Sequence, residues 1–327
     1  MKAAIIAPAN TMYTLPFAIR EFGINNMRAL GYEVIFGKNA DNRFYHTAGT
    51  IEERLHDLNW ALEDLEIDLI LPVFGGYNSN QLLSKVDFTQ LEHSKKRIMG
   101  FSDTTTLLCG FTNLSSLEVY HGPSFSVFCD PNLFDYTRRN CSAVLKGETV
   151  VYQDPSFSAE DFWYLKPKYG PREMIQGKSW KTYQEGEVIG KVVGGNVETL
   201  SSLAGTVYFP DVDGKILILE EGFSDNPASF HRSMTQFYQM GVFDRITGLI
   251  LGKPPQKSLL SDSAILEVIL DEVIKNDKLP IMHSIHCSHV DPMLTLPFHT
   301  LTRLVADENP KIIANFKYKT SFTTFKG

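Results

Sequence analysis

The sequence predicts a two-domain α/β protein: an N-terminal parallel-sheet domain followed by a C-terminal α/β domain richer in strand. Three observations predict it. A chain of 327 residues is longer than one typical core organises and suits two. Short apolar runs of strand length alternate with helical patterns through the first half, the βαβαβ rhythm of a helix-covered parallel sheet. A proline-containing aromatic stretch without periodicity then separates this half from a second set of strands and helices.

In order, Ala3–Ala7 reads as the first strand, and Phe17, Phe22, Met27 and Leu30 as a helix closing at Gly31. Glu33–Phe36 reads as a second strand. Ile51, Leu55, Leu58, Leu62 and Leu65 make an apolar helical face, and Asp68–Val73 a buried strand entering Phe74-Gly75-Gly76-Tyr77-Asn78. The short run ending at Gly100 leads into Ser102 and a helix with Leu107, Leu108 and Phe111, after which Leu117–Tyr120 enters His121-Gly122-Pro123. Residues 1–154 form the expected first domain. Residues 155–184, with three prolines and Phe162, Trp163, Tyr164, Tyr169 and Trp180, form the expected linker. Residues 185–327 form the second domain, with strands at 190–195, 215–219, 249–251 and 312–318 and helices at 196–203, 230–241 and 264–275.

Composition narrows the function classes. The hydrophobic fraction of 43% and charged fraction of 21% are those of an ordinary globular protein. A net charge of -7 without a basic run gives no footprint for a nucleic-acid polymer or an anionic membrane, so a small molecule or peptide is the expected partner. Four cysteines without paired spacing point to a reduced cytoplasm, and no apolar run approaches the length that crosses a bilayer.

Ser102, directly after a strand, is the candidate nucleophile, since a strand-to-helix turn exposes the hydroxyl beside the unpaired N–H groups of the helix's first turn. The same residue, or Asp103, would equally serve as a helix cap. Two consecutive glycines at Gly75-Gly76 permit close backbone approach to a ligand, or simply a tight turn. His121 stands at a strand end, where it would line the site or be a hydrogen-bonded structural residue. A serine needs a base and the base an orienting acid. The acid is available at Glu220 or Glu221 after a buried strand, and the base among His283, His286 and His289. Those three histidines with Cys287 also admit a metal site, although the surrounding prolines and β-branched residues give no helical spacing to converge them.

Taken together, Gly75-Gly76-Tyr77-Asn78-Ser79-Asn80, Gly100-Phe101-Ser102-Asp103, His121-Gly122-Pro123, Gly194-Gly195-Asn196 with Thr199-Leu200, Leu219-Glu220-Glu221 and His289-Val290-Asp291-Pro292 through Pro297 resemble, in order, the LD-carboxypeptidase family of serine peptidases. The resemblance is strongest to its microcin C self-immunity branch. It implies a triad of Ser102 as nucleophile, His289 as base and Glu220 as acid, and an oxyanion held by the backbone N–H groups of Asp103 and Gly76. It also implies substrate contacts among Gly75, Tyr77, Asn78, His121 and Trp180. Further implications are an N-terminal domain like that of class I glutamine amidotransferases, a homodimer, and no metal or cofactor. Hydrolysis of an amide near a carboxylate or acyl-nucleotide group follows, with aminoacyl or peptidyl nucleotides favoured over murein tetrapeptides. A non-catalytic ligand-binding protein on the same fold is the alternative of another class. Phe298-His299 stands where the family commonly has Ile-Gly, which marks an altered pocket floor, and the 155–184 segment is shorter than in the nucleotide-recognising branch.

Overall fold

The computed structural model describes residues 1–222 and 227–317. Five parallel strands, β1 (Lys2–Ile6), β2 (Glu33–Phe36), β3 (Ile67–Pro72), β4 (Arg97–Gly100) and β5 (Glu118–His121), form the first sheet in the order β5-β4-β3-β1-β2. Ala3, Ala4, Ile5, Leu69, Ile70 and Leu71 are all fully buried, as a sheet covered by helices on both faces requires.

Two helical faces differ from the sequence pattern. The helix Phe17–Ala29 buries Ile19, Gly23 and Met27, while Phe17 is 73% exposed. A Cβ at position 23 would meet the side chains of Cys129 and Phe125 within 2.6 and 2.7 Å, so the helix seats on its smallest residue, which a count of large apolar residues overlooks. The helix Ile51–Glu63 starts at a capping box between Thr50 and Glu53. It turns Arg54 and Asp57 inward beside Leu58, Ala61 and Leu62, while Leu65 lies beyond its end and is 96% exposed. Arg54 is tolerated there because its guanidinium donates to Pro8 O, Asn78 O and Gln81 Oε1, joining the loops that follow β1 and β3.

The remaining strands are β6 (Val150–Tyr152), β7 (Phe157–Ala159), β8 (Met174–Gln176), β9 (Lys181–Gln184), β10 (Gly186–Asn196), β11 (Ile216–Glu220), β12 (Gly248–Gly252), β13 (Ile281–Ile285), β14 (Leu296–Pro297), β15 (Leu301–Ala306) and β16 (Lys311–Ala314). Eight of them make a mixed sheet, β6-β16-β15-β10-β11-β12-β13-β9, with a parallel centre from β10 to β13 and antiparallel flanks. The strand expected to run to Tyr318 is seen at Lys311–Ala314, and Tyr318 itself lies outside the described residues. Two strands cross between the halves. β6 pairs with β16 of the second sheet, and β14 returns to pair antiparallel with β5 of the first. All four cysteines are buried free thiols. Among the described residues no helix is long and apolar enough to cross a membrane.

The 155–184 segment is an ordered clasp. β7 and β8 pair antiparallel, and Ala159 bridges Asp291. Arg172, its side chain 4% exposed, reaches Asp130 at 2.5 Å, Asp161 at 3.0 Å and Asp291 at 2.9 Å, so one guanidinium joins the first domain, the clasp and the loop that carries His289. Removing it strands buried carboxylates. Arg172→Met is expected to lose about 3–5 kcal/mol of stability in urea unfolding and to expose the 155–184 segment to limited proteolysis.

Candidate active site

Three strand ends converge. β4 delivers Ser102, β3 delivers Gly75 and Gly76, and β11 delivers Glu220 at its last residue. Ser102 has φ of 59°, a left-handed conformation that a serine adopts at a cost of about 1–3 kcal/mol, and it opens a 3-10 turn leading into the helix Thr105–Leu114. The turn is held by its neighbour. Asp103 Oδ2 accepts the Ser79 N–H at 2.9 Å, and Ser79 Oγ donates to Asp103 O at 2.7 Å. The Asp103 carboxylate therefore fastens the glycine loop to the Ser102 turn rather than capping the helix, the role expected from sequence. Burial raises its pKa, against the pull of Ser79 and Arg54.

Gly75 is required by contact. A Cβ there would stand 2.6 Å from both Ser102 Cβ and Oγ, and 3.1 Å from the Asp103 nitrogen. Gly75→Ala is thus expected to displace Ser102 and lower kcat by about 10²-fold or more with the fold retained, checked by steady-state kinetics beside circular dichroism.

His289, on the loop after β13, has Nδ1 2.9 Å from Glu220 Oε2. A carboxylate only accepts, so Nδ1 carries the proton and Nε2 is the basic nitrogen. Glu220 is buried, and its Oε1 has no hydrogen-bond partner among the described residues. Burial favours its neutral form, but the charge and hydrogen bond of His289 outweigh burial and hold its pKa below the usual value. For His289 burial favours the neutral ring, yet Glu220, helped by Glu221, raises its pKa above the ordinary histidine value. The Phe101 ring meets the imidazole edge-on at 4.9 Å.

Two cavities meet at Gly76, Ser102 and His289. One, of about 440 Å³, is also lined by Tyr77, Asn196, Glu198 and Glu221. The other, of about 640 Å³, is predominantly apolar and is lined by Phe74, Trp163, Tyr164 and Leu165. Of the sequence candidates, Ser102, Glu220, His289, Asp103, Gly75, Gly76 and Tyr77 thus lie together. The others lie apart. Asn78 bonds His46 Nε2 at 2.7 Å and lines neither cavity. His121 is fully buried and donates from Nε2 to Cys287 O at 2.7 Å. Trp180 is buried against His286, with Nε1 donating to Nδ1 at 2.9 Å, and the clasp presents Trp163 to the cavity instead. Phe298 is buried and His299 sits 4.0 Å from Glu118, neither of them on the cavity floor.

Glu198 was not singled out from sequence; Glu221 entered only as the alternative to Glu220 for the acid, Trp163 only among the aromatic residues of the linker, and Asn196 only within its motif. Asn196 had a signal in its Gly-Gly-Asn context: its N–H donates to Thr105 Oγ1 at 2.9 Å, joining β10 to the start of the helix Thr105–Leu114. The remaining histidines have separate surroundings. His283 contacts Ser284 Oγ at 3.1 Å, His286 is held by Trp180 and Phe157 O, and burial pushes each down to about 4. Burial likewise raises the Cys287 thiol far above its ordinary value, which opposes thiolate formation. Among the described residues no three His, Cys, Asp or Glu side chains are grouped so as to hold a metal ion.

Comparison with known proteins places the chain in a family. Residues 3–122 match the LD-carboxypeptidase N-terminal domain and residues 189–304 the LD-carboxypeptidase C-terminal domain. The microcin C7 self-immunity protein MccF of Escherichia coli is 29% identical, covering 84% of this chain and 82% of its own length. The murein tetrapeptide carboxypeptidase of Pseudomonas aeruginosa is 25% identical, covering 88% of each. An MccF-like protein from Bacillus anthracis superposes with a TM-score of 0.89 at 26% identity over 96% of both chains. MccF in complex with aspartyl sulfamoyl adenosine superposes with a TM-score of 0.85 at 25% identity, over 97% of this chain and 96% of that one. A strand-end serine in a two-domain α/β frame, matched in both halves by one family, makes the chain a serine carboxypeptidase-type hydrolase belonging to the LD-carboxypeptidase family.

Proposed function

We propose that this chain hydrolyses the amide bond of an aminoacyl or peptidyl nucleotide through Ser102, His289 and Glu220. The observation that carries the reading is the 2.9 Å bond from His289 to buried Glu220 at the wall of the cavities that Ser102 enters. Ser102 Oγ attacks the carbonyl carbon while His289 Nε2 takes its proton, and Glu220 holds the ring and stabilises the imidazolium. The Asp103 and Gly76 N–H groups receive the oxyanion. His289 then protonates the departing nitrogen, and water hydrolyses the acyl-enzyme by the same steps in reverse.

The apolar cavity supports the nucleotide class, since Trp163 and Tyr164 offer aromatic surface to a base beside the nucleophile. The related MccF structure with aspartyl sulfamoyl adenosine supports it further. The second reading, a murein tetrapeptide losing a terminal D-residue, is favoured by the polar cavity on the other side of Ser102 and by the Pseudomonas relative. Mass spectrometry of aminoacyl sulfamoyl adenosines and murein tetrapeptides incubated with the protein decides between them. Cleavage of the first supports the nucleotide class, and release of D-alanine alone replaces it with the second. Within this proposal the enzyme is a cytoplasmic homodimer, checked by analytical ultracentrifugation. It divides into domains at 1–154 and 185–327 joined by the 155–184 clasp, which limited proteolysis of the Arg172→Met variant would separate.

A further inference from the structure

We propose that the cavity walled by Glu198 and Glu221 selects substrates whose acyl residue carries a cationic nitrogen in its side chain, a preference that rests on the hydrolase reading above. Glu221 is only 7% exposed, yet its carboxylate has no hydrogen bond or ion pair among the described residues, and it lines the same cavity of about 440 Å³ as Ser102 and His289. Its charged neighbours are Glu220 directly before it, Glu198 on the short helix that follows β10, and His289. Glu198 lines the cavity as well, whereas no lysine or arginine among the described residues does so, and the sequence from Glu220 to Ser229 contains none.

The Glu221 residue is largely buried while its carboxylate faces the cavity with no protein partner among the described residues, so a ligand entering the cavity is what completes it. Burial and the two like charges push the Glu221 pKa up to about 7. A substrate ammonium at hydrogen-bond distance favours the ionised form and makes a charge-assisted contact. An anionic acyl side chain would instead meet two carboxylates with no counter-charge. The aromatic cavity on the opposite side of Ser102 leaves this one for the acyl residue when the leaving group is a nucleotide.

Calorimetric binding of lysyl, Nε-acetyllysyl and aspartyl sulfamoyl adenosine to the Ser102→Ala protein reads the preference without turnover. The lysyl compound is expected to bind at least about 10-fold tighter than its acetylated counterpart, with the aspartyl compound weakest. In a Ser102→Ala, Glu221→Gln double variant the lysyl-to-acetyllysyl ratio is expected to fall towards one, and Glu198→Gln to lower it less. The ratio is independent of how much of each variant folds. Equal affinities for the three compounds, no binding of any, or a ratio that survives Glu221→Gln each overturn the proposal. Two α-acylated lysyl-D-alanine peptides, one with its side-chain ammonium free and one acetylated, extend the comparison to the peptide class by kcat/KM in the Ser102 protein. Failure of the hydrolase reading is separate, because it appears as unchanged labelling of Ser102→Ala by a fluorophosphonate.

Discussion

Ser102→Ala is expected to abolish covalent labelling by a fluorophosphonate and to lower kcat by about 10⁴–10⁶-fold, the scale on which removing a triad nucleophile acts. The variant keeps every contact that positions the turn, because the bonds from Ser79 to Asp103 and from Asn196 to Thr105 do not involve the Ser102 hydroxyl. Thermal unfolding should therefore change little, and alanine tolerates the left-handed φ of 59° no better than serine, so no gain in stability is expected from relief of strain. Full retention of labelling would remove Ser102 from the mechanism and place the reactive nucleophile elsewhere.

Glu220→Gln has the next largest expected effect, about 10³–10⁴-fold in kcat, because an amide neither fixes the His289 tautomer nor balances the imidazolium. The pH profile gives its signature. In the native protein Glu220 raises the His289 pKa, so the acid limb of kcat/KM lies above pH 6.5. Without that charge burial dominates, and the limb moves to lower pH. The sign for stability follows from the two directions. His289, raised in the fold, contributes fully below its ordinary 6.5 and loses that contribution as pH climbs through the raised value. Glu220, lowered in the fold, contributes above 4.5 and loses it as pH falls through the lowered value. Urea unfolding of the two proteins should thus differ most between pH 4.5 and 6.5 and converge outside that window. A limb that stays in place in Glu220→Gln would show that another group orients His289.

Much of the frame was legible because its signals are local. The runs at 3–7 and 69–73 are apolar on both faces, and only a doubly covered strand suits such residues, so β1 and β3 could be read directly. The strands β13 and β15 were not read, because Met282-His283-Ser284 and Leu301-Thr302-Arg303 mix polar and apolar residues whose burial is settled by neighbouring strands. Gly23 and Arg54 turned two helices away from their expected faces for the same reason: close approach and buried polar partners come from segments distant in sequence.

The site divides similarly. The sequence by itself determined the α/β class and, only through the resemblance of its ordered motifs to one family, nominated Ser102 as nucleophile, Glu220 as acid and His289 as base. Tertiary structure decided which groups meet. It paired His289 with Glu220, placed Trp163 rather than Trp180 at the cavity, buried His121 behind the site, and left the Glu221 carboxylate facing substrate space with no partner among the described residues. Those outcomes depend on distances and desolvation between residues 69 to 166 positions apart, which local spacing cannot encode.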